Sequence, residues 1–378
     1  MTSHNMTWIS YPSKSQRFTS PEEIEAIIAS QNIISRLMHC YIAFFIPAGL
    51  IAGICILIIF IKNHLQNKRA SLDLLLLHFT ISNIIMIFLS FTVITRPDYL
   101  TATYLACSIL SFFFNFVYFN SQYVFTLTLL TLLLERFPPR TALCRATQRP
   151  ILCVGFVLTY TFCLSLTEAV LIGTDNYHLE ADCQLDPLFA WPEYEIVKFT
   201  FGFGMPSLLQ ILCLAVVWAK EARAGAAALG QHIRAHPAVY ATGATTFICR
   251  LFYNVMILFR TALKLQRSIG TTKNELVMNI AEIVMFCESC ASVVVILCFY
   301  KPFRDEVLKV VQKCRRKART NNHLEIPETA MTHQSGTHCS SAHLKTSFYR
   351  EDSGSWHIHY TQQGAACCCL EFRSKDVH

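Results

Sequence analysis

Apolar residues in this chain gather into long blocks set off by short charged segments, instead of alternating or forming a narrow stripe. Residues 37–61 contain no Asp, Glu, Lys or Arg, and residues 74–95, 99–134, 150–173 and 199–219 form four further blocks, the third of these four carrying Glu168. Two weaker blocks follow: the stretch between Arg234 and Arg260, interrupted by Arg250, and residues 276–300, interrupted by Glu282 and Glu288. A helix needs about 20 apolar residues, rising about 1.5 Å each, to cross about 30 Å of hydrocarbon. The pattern therefore predicts an all-α membrane protein, a seven-transmembrane helix bundle over residues 34–300.

Composition agrees: 53% of residues are hydrophobic and 15% charged, where soluble domains carry about 25% charged. Lys62, Lys68 and Arg69 lie in the first loop and Arg136, Arg140, Arg145 and Arg149 in the loop after the third block. Lys301, Arg304, Lys309, Lys313, Arg315, Arg316, Lys317 and Arg319 follow the seventh. The positive-inside rule puts these segments in the cytoplasm, so residues 1–33 form an extracellular amino-terminal segment of a multi-pass cell-membrane protein. No cleavable signal peptide is visible, and the first span is expected to act as its own insertion signal. Asp175, Glu180, Asp182, Asp186, Glu193 and Glu195 make the loop between blocks four and five acidic, whereas Arg260, Lys264, Arg267 and Lys273 make the last outer loop basic. The net charge of +7 comes mainly from the cytoplasmic tail and implies no nucleic-acid partner.

Asn5-Met6-Thr7 is a glycosylation acceptor placed outside by this topology. Cys107, opening the third block, and Cys183, in the acidic loop, share the oxidising side; they are expected to form a disulfide, the alternative being two free thiols. Gly49 and Gly53 form a small-xxx-small face, and Pro47, Pro206, Gly202 and Gly204 mark places where a helix ladder can bend. Residues 302–314 form an amphipathic stretch expected to lie on the inner leaflet against membrane lipid, within a basic juxtamembrane segment over 301–319. Cys314, Cys367, Cys368 and Cys369 are palmitoylation candidates, and residues 320–378 read as a disordered cytoplasmic tail.

Charges inside spans are costly and face the protein interior. Arg250 and Glu288 sit at matching depths near the middle of spans six and seven, while Glu282 lies about 9 Å nearer the outside, six residues at about 1.5 Å each. One reading is an interhelical ion pair that holds the two spans together. The other is a polar ligand cavity or network that also takes in Glu168, Asn115, Asn83 or His78. No nucleophile, base and orienter pattern and no zinc-site spacing is present, so neither an enzyme nor a cofactor is expected.

Seven spans, an outer amino terminus, Cys107 with Cys183, a fifth-span proline in Gly204-Met205-Pro206 and Lys301-Pro302-Phe303-Arg304 after the last span together resemble the rhodopsin-like G-protein-coupled receptors. The resemblance covers residues 34–314 and implies a short amphipathic eighth helix. His78-Phe79-Thr80-Ile81-Ser82-Asn83 is similar to the family's second-span segment, with Asn83 where the family has an aspartate. Other signature positions depart from it. Thr131-Leu132-Leu133 stands where the family's acidic-Arg-Tyr triplet belongs, and Glu135-Arg136-Phe137 comes one turn late. Arg250 and Phe252 replace the sixth-span aromatic and proline, and Ser292 to Ile296 replaces the seventh-span Asn-Pro motif.

The resemblance implies an orphan receptor that passes an extracellular signal to a heterotrimeric G protein or arrestin, with a cavity between spans three, five, six and seven. The departures put conventional activation in doubt and leave open a non-signalling scaffold or heteromer partner. The acidic outer loop and Glu282 favour a cationic or basic peptide ligand, the basic last outer loop argues the other way, and a lipid or other apolar ligand, or none, stays open. The spans show no internal repeat of the kind transporters carry.

Overall fold

The computed structural model describes residues 21–65, 71–94, 104–134, 149–172, 191–224, 226–266 and 271–324. Among the described residues there is no strand, and nearly all are helical. Seven helices among these residues are long and apolar enough to cross a membrane: Glu25–Asn63, Ser71–Phe91, Ser108–Leu134, Pro150–Leu171, Pro192–Arg223, Pro237–Leu265 and Thr272–Phe299. They coincide with the seven sequence blocks and give the architecture of a multi-pass membrane protein.

The edges differ where a charge was taken as a boundary. The first helix begins at Pro21, so the end of the segment assigned to the extracellular side is helical. Its buried Ser30, Ile34 and Met38 pack against the seventh span, which explains why the helix continues past Arg36. At 39 residues the first span is about 58 Å long, nearly twice the hydrocarbon thickness. The fifth span starts at Pro192 and places Lys198 inside the protein, and the sixth runs through Arg260 and Lys264 to Leu265. In both cases protein partners, not water, hold the charge.

The third span is the hub, with 72% of its apolar window buried against 17% for the fourth. Two apolar clusters stack along it. One contains Phe114, Tyr118, Tyr253, Met285 and Phe286; the other contains Phe79, Phe125, Leu132, Val239 and Ile296. Ser121, Arg250 and Glu288 fall at the seam between them.

Two spans contain a turn of π-helix just before a proline, Tyr41–Phe45 before Pro47 and Thr200–Gly204 before Pro206. Proline cannot donate to the ladder and crowds the preceding turn, and a wide turn relieves that crowding. In the second case the Met205 amide donates to the Thr200 carbonyl. The next donor in that register would be Pro206, which has none. Instead the Tyr123 hydroxyl of the third span donates to the Phe201 carbonyl at 2.9 Å.

Close approaches explain the glycines. A methyl at Gly49 would meet Ile87 at 2.9 Å and the Cys290 Cβ at 3.0 Å; at Gly53 it would meet Ile84 at 2.7 Å. One at Gly202 would strike the Tyr118 ring at 2.6 Å and the Phe119 ring at 2.8 Å. At the far end of the bundle the helix Lys301–Leu324 follows the seventh span and is longer than the stretch the sequence outlined. Phe303 is buried in the second cluster, Tyr300 donates to Asp73 of the second span, and Lys62 of the first span pairs with Glu306. Lys309 pairs with the same carboxylate at 2.7 Å, and the two ammonium groups hold Glu306 down to about 2.

Candidate functional site

Arg250 stands on the sixth span with Glu288 opposite it on the seventh, both 1% exposed. Its Nε and a terminal nitrogen each lie 3.3 Å from Glu288 Oε2. The rest of the guanidinium reaches the third span, donating to the Tyr118 carbonyl at 3.2 Å and the Ser121 hydroxyl at 2.7 Å, while its carbon lies 4.7 Å from the Tyr118 ring centre. Glu288 Oε1 accepts from Thr246 at 3.0 Å and Ser292 at 3.1 Å. Both charges are therefore desolvated but well partnered. Losing one partner of such a pair costs about 3–5 kcal/mol, because the other is left buried and unpaired.

A second buried cation lies across Tyr118. Lys198, from the fifth span, is fully enclosed, with its ammonium 5.6 Å from the Tyr118 and Tyr194 ring centres and 5.7 Å from that of Tyr253. Rings at this range attract a cation through their negative faces, more strongly when water is excluded. The ammonium also donates to the Tyr194 hydroxyl at 3.3 Å. Asn115 donates to that hydroxyl at 3.3 Å, and Asn254 donates to the Tyr118 hydroxyl at 2.9 Å. Tyr118 thus contacts both Lys198 and Arg250 and links spans three, five and six.

A third cluster joins the start of span five to the end of span six. Buried Glu195 lies 2.8 Å from Arg260 and 2.7 Å from Lys264, and it accepts from Thr261 at 2.8 Å. Glu275, buried at the start of span seven, lies within electrostatic reach of the same two cations. Glu195 and Arg260, assigned by sequence to opposing outer loops, instead neutralise each other inside helices.

The candidate residues divide accordingly. Arg250 and Glu288 meet as expected, and Asn115 joins their network through Tyr194, Lys198 and Tyr118. Arg250 bonds Glu288, not Glu282, which is half-buried farther along the same helix. Asn83 is buried and donates to the Phe79 carbonyl. His78 joins Asn120, which donates to Ser82 at 2.8 Å, in a separate cluster between spans two and three. Glu168 is fully buried in the fourth span, and no direct bond joins it to Arg250.

At the end of the third span, Thr131 donates to Leu127, Leu132 is 2% exposed and packed in the apolar cluster, and Leu133 is half-buried. Asn5, Glu135, Arg136, Cys183, Cys367, Cys368 and Cys369 lie outside the described residues, as do the side chains of Cys107 and Cys314. The proposed disulfide, glycan and acyl sites therefore fall outside them too.

Sequence reading missed Lys198 with its tyrosines and the Glu195 clamp. A signal for the polar partners was present, since Thr246 stands four residues before Arg250 and Ser292 four after Glu288, on the same helix faces. A comparison with models of protein families and with curated proteins returns no match for this chain.

Proposed function

We propose that this chain is a seven-span receptor of the rhodopsin-like kind, with its amino terminus outside and the Lys301–Leu324 helix against the inner leaflet as its eighth helix. The observation that carries the reading is the three-way contact of Arg250, which joins spans three, six and seven through one guanidinium. Lys198 also approaches Tyr118, from the fifth span, which carries one of the two wide turns. A ligand that moves the outer part of span five would press on Tyr118 and so on the ion pair. The two hydroxyls on Glu288 and the one on Arg250 offer alternative partners, as a two-state contact needs. A cationic or basic peptide ligand rests on the acidic outer loop without Glu195, whose charge is already taken up, together with Glu282.

The rival reading is a scaffold that partners another receptor without signalling. It draws support from Leu132, which occupies the position of the family's coupling arginine and is turned into the apolar core. Glu288→Gln separates the two readings, because it keeps the side-chain shape while removing the charge. A panel of G-protein and arrestin recruitment assays, normalised to surface protein, is expected to show basal signalling shifted several-fold by this change. A flat response in every assay, for both wild type and variant, would leave the scaffold.

A further inference from the structure

The wide turn in the first span has an effect on the outer face of the bundle. It brings Phe44 and Phe45 together beside Ala48, opposite Cys290, Ala291, Val294 and Val295 of the seventh span, and leaves a groove of about 340 Å³. Small residues form its floor and the two phenyl rings its wall. We propose that this groove binds one acyl chain of a bilayer phospholipid as a resident ligand.

Three observations select a hydrocarbon chain. The groove opens outward, with Phe44 70% and Phe45 40% exposed, so the bilayer must cover it. The lining side chains are phenyl and aliphatic apart from the Cys290 thiol, which is engaged inside. Tyr41 is 1% exposed and bonded to Ser90 at 2.7 Å, with Cys290 Sγ donating to it at 3.9 Å. Cys290 to Val295 stand four to nine residues before the end of the seventh span at Phe299, about 6–14 Å along the helix, so the groove lies within the hydrocarbon in the half of the span that ends there. A polar ligand would find no partner among these side chains, while a stretch of acyl chain fits. The volume corresponds to roughly a dozen methylenes if each takes a share like liquid water's, about 30 Å³.

An occupant would lie against Cys290 where Gly49 brings the first and seventh spans together, and would brace that contact. The proposal needs only that the helices cross a bilayer. It does not rest on the receptor reading, and a flat signalling panel leaves it standing.

The test uses the full chain in nanodiscs containing a phosphatidylcholine with a diazirine in mid-chain, illuminated, digested and mapped by mass spectrometry. Adducts are expected to concentrate on Phe44, Phe45, Val294 and Val295, several-fold above Ile51, Ile54 and Ile58, which face lipid on the same helix. Ala291→Phe, which fills the floor, is expected to abolish the excess while the Ile51 to Ile58 signal persists. If that variant does not fold, Ala48→Leu repeats the comparison from the opposite wall with a smaller loss. Even labelling of groove and control positions would show ordinary boundary lipid and overturn the proposal. A photoreactive sterol that labels the groove where the phospholipid does not would overturn it as well.

Discussion

Replacing Glu288 by leucine removes the only carboxylate bonded to Arg250 among the described residues, leaving a buried guanidinium with the Ser121 hydroxyl, the Tyr118 carbonyl and a ring face. Arginine cannot shed its charge, so the full penalty of a broken buried pair, about 5 kcal/mol at the upper end, is expected. Arg250→Leu strands a carboxylate that keeps Thr246 and Ser292 as donors and can also be neutralised by a proton. Its cost is expected nearer 3 kcal/mol. In the double variant no charge is stranded; three hydroxyls and the Tyr118 carbonyl lose a partner, Thr246 and Ser292 can turn to each other, and each group left unsatisfied costs about 1–3 kcal/mol. The double variant should therefore be more stable than either single one, with a coupling energy of several kcal/mol. Surface expression and denaturation of the protein in nanodiscs, measured for all four members of the cycle, give these numbers. Additive losses, or Arg250→Leu proving harsher than Glu288→Leu, would refute the assignment of this pair as the stabilising centre of the bundle.

Tyr123→Phe is expected to lower stability by about 1–2 kcal/mol, because the Phe201 carbonyl loses its donor, and by clearly less in a Pro206→Ala background, where a backbone amide is restored; thermal melts of the two pairs measure the difference. Gly202→Ala should cost more than Gly53→Ala, about 1–3 kcal/mol for overpacking, since two packed rings must move at the first site and one isoleucine tip at the second; surface expression ranks them. Glu306 titrates below its ordinary 4.5, at about 2, because Lys309 and Lys62 favour its charged form. Its contribution is thus fully present above pH 4.5 and lost as pH falls toward 2. Spin-label distances between the inner end of span one and the terminal helix should stay constant above that window and loosen within it, whereas Glu306→Gln should loosen them at every pH.

The spans were legible because hydrocarbon admits only long apolar helices, and a block of that length has few other uses. Arg250 and Glu288 were legible for the complementary reason: a charge that deep needs a partner, and only matching depth supplies one. The same logic failed at Lys198, Glu195, Arg260 and Lys264, where charges at block edges were read as meeting water. Three tyrosines from three helices, or a carboxylate on the neighbouring span, hold them inside, and apart from Tyr194 four residues before Lys198 neither arrangement leaves a short-range mark on the chain. At Asn83 the structure shows a local bond instead of one across helices. A polar residue in a span invites a network, yet its amide is spent on the carbonyl one turn back. The wide turns were half legible: Pro47 and Pro206 marked the places, but the Tyr123 hydroxyl that caps one of them depends on packing between helices.

On the receptor reading, the Arg250–Glu288 contact holds spans three, six and seven in one of two arrangements. Spin labels introduced at Leu133 and Tyr240, on the third and sixth spans on the side of the seam away from Tyr118, report it most directly as a distance distribution in nanodiscs. Wild type is expected to give one dominant distance, and Glu288→Gln a second, resolved population at the expense of the first. A distribution that Glu288→Gln leaves unchanged, in protein that remains folded, would contradict the account.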